Sequence, residues 1–117
     1  MKLKFGIPCS QLKNSIKDVE IQCTSEEQAF AIAAGCILAG KKPIVYMQNS
    51  GFGRCIDILT SLYLPYKIKY PHLILSLRKK PFHHAFIGSM TMQLIRMVGY
   101  TDIEVVEQNE NEKNRYY

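Results

Sequence analysis

At 117 residues, with 47% hydrophobic and 21% charged side chains, the sequence is that of one folded domain with a core of its own, expected in the cytoplasm. No run approaches the roughly 18 apolar residues that cross a bilayer, and Pro8 interrupts the basic start before any stretch of signal-peptide length, so no membrane association is expected. The net charge of +5, with Lys67, Lys69, Arg78, Lys79 and Lys80 close together, suits an anionic ligand or a solvated face; without a nucleic-acid motif or interleaved aromatics, no nucleic-acid partner is expected.

In chain order, Lys2–Ile7 reads as a short strand ending at Pro8, followed by a helical stretch from about Ser10 to Ile16. Val19–Cys23 alternates apolar and polar residues and suits a second strand. Thr24 and Ser25 offer an N-cap, with Glu27 or Gln28 as the capping-box partner. The helix that follows, Ser25 to Leu38, carries Ala29, Ile32, Ala33, Cys36 and Ile37 on one apolar face. Gly40 stops it, with Pro43 just beyond. Ile44–Gln48 is a nearly continuous apolar strand. Asn49–Gly53 reads as a glycine-bearing turn, and a helical pattern then runs through Ile56, Leu59 and Leu62. His72–Leu77 is a fourth strand, Gly88–Gly99 a helix built on Met92, Leu94, Ile95 and Val98, and Ile103–Val106 a fifth strand. The domain spans residues 1–106, and a polar tail occupies 107–117.

Alternating strands and helices with apolar strands predict an α/β domain, a mainly parallel sheet with helices on both faces. In such sheets ligands gather beyond the carboxyl ends of the strands. That edge collects Pro8-Cys9-Ser10, Thr24-Ser25-Glu26, Gln48-Asn49-Ser50-Gly51 and the segment from Arg78 to His84. Glu26 stands out as a first-turn carboxylate, although the helix dipole favours such a residue without any function. The small side chains of Ala29, Ala31, Ala33, Ala34 and Gly35 suit either close packing on a sheet or an interface. The Gln48–Gly53 stretch lacks a complete phosphate-binding glycine signature. Cys9, Cys23, Cys36 and Cys55 are spread at 13–19-residue intervals, which fits neither a zinc site nor a disulfide framework, and no metal site is expected.

The segment from Thr24 to Pro43, followed by Tyr46-Met-Gln-Asn-Ser-Gly51, resembles the pyrimidine-binding domain of the sulfopyruvate and phosphonopyruvate decarboxylases. Gly6-Ile-Pro-Cys-Ser-Gln-Leu-Lys13, Thr60-Ser-Leu62 and Pro81–Gly88 also fit, so the likeness runs from about Phe5 to Val106. It implies the thiamine diphosphate-binding pyrimidine-domain fold. It also implies that Glu26, nine residues before Gly35, hydrogen-bonds the aminopyrimidine ring of thiamine diphosphate and promotes the tautomer that activates the cofactor. By the same resemblance Gln48, Asn49, Ser50 and Gly51 contact the cofactor, and Cys9, Ser10 and His84 contact a small anionic 2-oxo acid substrate. The sequence departs from the family at Gly51-Phe-Gly-Arg54, at Asp57 and at Arg78-Lys-Lys80. Nothing in it resembles the Gly-Asp-Gly…Asn motif that binds Mg2+ and diphosphate. The resemblance therefore implies an alpha subunit whose diphosphate-binding beta partner holds the magnesium. Another split thiamine diphosphate carboligase or lyase, and a non-catalytic regulatory subunit, are the alternatives.

Overall fold

The computed structural model describes residues 2–6 and 21–107. Five strands form one sheet: β1 (Lys2–Gly6), β2 (Ile21–Gln22), β3 (Lys42–Gln48), β4 (His72–Leu77) and β5 (Ile103–Glu107). Every pairing is parallel and the order is β2-β1-β3-β4-β5. The chain thus steps one way from β1 to β2, then returns across β1 to β3 and continues outward. The reversal leaves a switch point between the carboxyl ends of β1 and β3, at Gly6 and Gln48, where doubly wound sheets bind ligands.

The connections after β2 run through α1 (Glu26–Leu38), through α2 (Asn49–Arg54) and α3 (Ile56–Ile58), which continues into a π turn (Leu59–Tyr63), and through α4 (Ala85–Met97) after a 3-10 turn (Phe82–His84). Parallel crossovers are right-handed, so three crossovers moving the same way across the sheet put their helices on one face. The main core agrees: Ala29, Phe30, Ala33, Phe52, Cys55, Leu59, Tyr63 and Ile95 pack on Val45, Met47, Leu73 and Leu75. On the opposite face Tyr46 packs with Ile44, Ile74 and Val106. No described helix covers that face. The reading of helices on both faces rested on the stretch from about Ser10 to Ile16, which lies outside the described residues.

Three tyrosines, Tyr63 and Tyr100 buried and Tyr70 half-buried against them, each donate a hydroxyl to a backbone carbonyl: Tyr63 to Phe30, Tyr70 to Val98 and Tyr100 to Pro71. Tyr70 and Tyr100 stack with centroids 4.3 Å apart. Buried aromatic area is thereby kept without stranding a polar group. Both long helices end the same way, at the amino edge of the sheet. Lys41 N donates to Cys36 O and Tyr100 N to Ile95 O, with Gly40 (φ 83°) and Gly99 (φ 70°) taking the left-handed position. The π turn ends alike, Ile68 N donating to Tyr63 O, but there Lys67 occupies the left-handed position at φ 56°. No disulfide joins Cys23, Cys36 and Cys55. No described helix is long and apolar enough to cross a membrane.

Candidate functional site

The start of α1 is capped by residues other than its two glutamates. Ser25 is extended (φ −147°, ψ 159°) and its hydroxyl accepts from Gln28 N at 3.1 Å. The Gln28 side-chain oxygen accepts from Thr24 N at 2.8 Å and from the Thr24 hydroxyl at 3.1 Å. With Thr24, Ser25 and Gln28 closing the end of the helix, Glu26 and Glu27 are left over in its positive first turn. Successive residues diverge by about 100° around a helix. Glu27 is exposed; Glu26 is half-buried and turned onto α2.

There it lies across Gly51. A Cβ at Gly51 would sit 2.7 Å from both Glu26 Cδ and Oε2, and closer still to Cγ. Only a glycine admits this approach. Beneath it the Cys55 thiol donates to Gly51 O at 3.3 Å. Burial, then the charges of Glu27 and Glu26, push that thiol far above its ordinary range, so Cys55 is an inert floor and no nucleophile. Among the described residues the Glu26 carboxylate makes no hydrogen bond or ion pair. A carboxylate in this setting, held by packing and the helix dipole, is free to accept a hydrogen bond from a ligand.

The stretch after β3 is helical, which corrects the reading of Asn49–Gly53 as a turn. The cause is tertiary. Fully buried Asn49 donates to Arg78 O at 3.1 Å and to Thr91 Oγ1 at 3.0 Å, and accepts from Arg78 N at 2.9 Å. Its amide ties the ends of β3 and β4 to α4, and that geometry starts α2 one residue beyond the strand. Gln48 donates to Ser50 Oγ at 3.1 Å. The buried Gln48 Oε1 has no partner, nor has Oγ of Ser76, its neighbour across the β3–β4 ladder.

After β4 the chain passes through a cis Lys80–Pro81 bond into the 3-10 turn, with His84 N donating to Pro81 O at 2.9 Å. His84 is buried at the head of α4 and its Nδ1 has no hydrogen-bond partner. Burial, with His83 and Arg78 adding to it, pulls the imidazole pKa below 6.5 and favours the neutral ring. Gly88 lets this first turn of α4 lie against the preceding strand end, since a Cβ there would meet Arg78 O at 2.8 Å.

Glu26 and Gly51 are therefore brought into contact, Gln48 and Ser50 are bonded to each other, and Asn49 is turned into the fold. His84 sits at the head of α4. Cys9 and Ser10 lie outside the described residues. Thr91, Gly88 and Cys55 are structural members of the site that the sequence reading missed. Thr91 had a signal, because buried Gly88, Thr91, Ile95 and Val98 share one helical face with a single hydroxyl in it. Among the described residues, no group of three or more His, Cys, Asp or Glu side chains converges to hold a metal ion.

No protein-family model matches the chain. Among characterised proteins, it is 46% identical over 70 residues to sulfopyruvate decarboxylase subunit alpha of Methanocaldococcus jannaschii, covering 54% of this chain and 41% of that protein. The counterpart in Methanococcus maripaludis is 35% identical over 105 residues, 80% of this chain and 62% of the relative. Phosphonopyruvate decarboxylase of Streptomyces hygroscopicus is 34% identical over 113 residues, 85% of this chain but 27% of the relative. The match to the first of these thus spans less than half of that relative's length.

Proposed function

Because the chain belongs to the family of the sulfopyruvate and phosphonopyruvate decarboxylases, we propose that it is the cytoplasmic alpha subunit of a thiamine diphosphate-dependent 2-oxo acid decarboxylase. The substrate in this reading is a three-carbon 2-oxo acid bearing a sulfonate or phosphonate. The domain takes the pyrimidine-binding role. A separate beta subunit holds the diphosphate through Mg2+.

The observation that carries the reading is the Glu26 carboxylate, unpartnered among the described residues and cradled on Gly51 beside the sheet's switch point. That cradle fits an aminopyrimidine ring, whose ring nitrogen, once protonated or in the imino form, donates to a carboxylate. Thiamine diphosphate, when bound, supplies the electron sink for loss of carbon dioxide. Glu26 holds a proton at the pyrimidine nitrogen and polarises the ring from a site prepared before the ligand arrives. Gly51 leaves the carboxylate room, and Gln48 Oε1, buried without a partner at the end of β3, is a further acceptor. Neutral His84, its Nδ1 unpartnered, is the candidate for contact with the substrate.

A partner subunit is supported by the relatives named subunit alpha and by an apolar stripe on the surface. Phe82 (78% exposed), Phe86 (63%) and Met90 (47%) recur at four-residue spacing along the 3-10 turn and α4. Co-expression with the beta subunit, followed by measurement of carbon dioxide release from both acids, tests the proposal. Glu26→Gln keeps the shape but not the charge and should cut turnover by a factor on the order of 10²–10³. Glu27→Gln should stay near wild type. Undiminished turnover by Glu26→Gln, or decarboxylation by the pure single chain, refutes the proposal.

A further inference from the structure

At the opposite, amino edge of the sheet a cleft of about 550 Å³ opens between the end of α1 and the starts of β3 and β4. Its size falls within the range of small-molecule sites. Lys41, Lys42 and Lys69 line it, all exposed, and among the described residues none of the three makes an ion pair. The strand register sets Lys2 beside Lys42 at the same level. The one carboxylate among the described lining residues, Asp102, already bonds His72 Nδ1 at 2.8 Å. The carbonyl end of α1 contributes about half a negative charge. Three ammonium groups exceed both.

The rest of the lining is apolar: Ile37, Pro43, Ile44, Pro71 and Tyr70, whose hydroxyl is committed to Val98 O. The Gly40-Lys-Lys-Pro43 run, which closes the Thr24–Pro43 segment, lines this cleft, at the far end of α1 from Glu26. Lysine presents a compact point charge on a flexible stem and suits phosphoryl or sulfonyl oxygens without demanding a fixed geometry. Charge alone calls for an anion, and the apolar walls call for a body to cover them. We propose that this cleft binds a small organic polyanion, an apolar or aromatic body carrying two or more negative charges, as a site separate from the one that holds Glu26.

Titration calorimetry of the full chain with ATP, inorganic pyrophosphate and inorganic phosphate at about 50 mM salt, where screening is weak, provides the test. One equivalent of ATP should bind, more tightly than pyrophosphate and far more tightly than phosphate. Lys42→Glu and Lys69→Glu should each weaken ATP about tenfold, whereas Arg96→Glu, the same charge change on exposed α4, should cost less than about twofold. For the unaltered chain, ATP should slow acetylation of Lys42 and Lys69 but leave that of Lys67 unchanged. Absence of saturable binding, pyrophosphate binding as tightly as ATP, equal losses from Arg96→Glu, or protection of Lys67 alongside the cleft lysines would overturn the proposal. None of these readouts depends on decarboxylation, so the site fails or stands apart from the proposed enzyme activity.

Discussion

Gly51→Ala separates the fold from the chemistry. The added methyl carbon would lie 2.7 Å from Glu26 Cδ and Oε2, and closer still to Cγ, against an ordinary carbon contact of about 3.5 Å, so one of the two must move by at least about 0.8 Å. The backbone of α2 is anchored through Asn49, whereas Glu26 is the far end of a flexible side chain, so the carboxylate moves. Gly51 lies in the third position of α2, where alanine is the better helix former by about 0.5–1 kcal/mol. Stability should therefore hold or rise slightly. Turnover should drop by about 10²-fold, the scale that accompanies a misplacement of about 1 Å in a catalytic group. Thermal melts of the chain and carbon dioxide release by the chain combined with the proposed beta subunit, measured on the same preparations, give both numbers. A variant with wild-type turnover refutes the idea that the cradle positions Glu26. A large drop in melting temperature refutes the premise that the side chain yields before the backbone.

Asn49→Ala should behave in the opposite way, removing the side-chain partner of Arg78 N and of Arg78 O at a cost on the order of 2–3 kcal/mol, while Thr91 Oγ1 keeps its bond to Ile87 O; a melting temperature within a degree or two of wild type would show the amide to be dispensable. Lys67→Gly should relieve the left-handed φ of 56° and gain about 0.5–1 kcal/mol in urea denaturation; unchanged or lowered stability would mean that the turn carries no strain. Stability should be level between pH 6.5 and 9.0. Below 6.5 the unfolded chain takes up the proton that buried His84 resists, and above 9.0 it first releases the thiol proton of Cys55 and then, past 10.0, those of Tyr63 and Tyr100, which the fold retains, so urea midpoints should fall on both sides; a flat alkaline limb to about pH 11 would contradict this.

Much of the architecture was legible because the strands are buried and their periodicity is strong. The prediction His72–Leu77 coincides with β4, and the end of β3 at Gln48 was read correctly. Its start was placed too late because Pro43 reads as a breaker. The β4 ladder begins only at Ile44, so the proline's missing N–H lies beyond it and costs no β4 pairing. The helix predicted over Ser25–Leu38 formed, but its deepest residues are Ala29, Phe30, Ala33 and Ala34, with Ile32 and Cys36 at the margin. Ala31 and Gly35 face outward, so the run of small residues divides between the sheet and the surface. Gly88 read as a helix start, yet α4 begins at Ala85, and the glycine serves a close approach to Arg78 and Lys79, ten and nine positions earlier. Met92, read as core, is 41% exposed, and Glu107, placed in the tail, ends β5. Asn49 was the hardest to read. Its partners lie 29 and 42 residues away, and no local pattern tells a buried brace from a ligand contact.

That brace sets where the chain tolerates exchange with its relatives. One carboxamide is the shared joint of the β3 end, the Arg78 main chain and the Thr91 hydroxyl. A chimera whose crossover falls between residues 50 and 90 inherits Asn49 from one parent and Thr91 from the other. The joint then survives only if both parents carry the same pair. A crossover within the connection between β1 and β2, or after α4, leaves it intact. The segment from β3 through α4 is therefore the block that must be transplanted whole if the joint is to survive, and chimeras cut inside it should lose stability before those cut outside it.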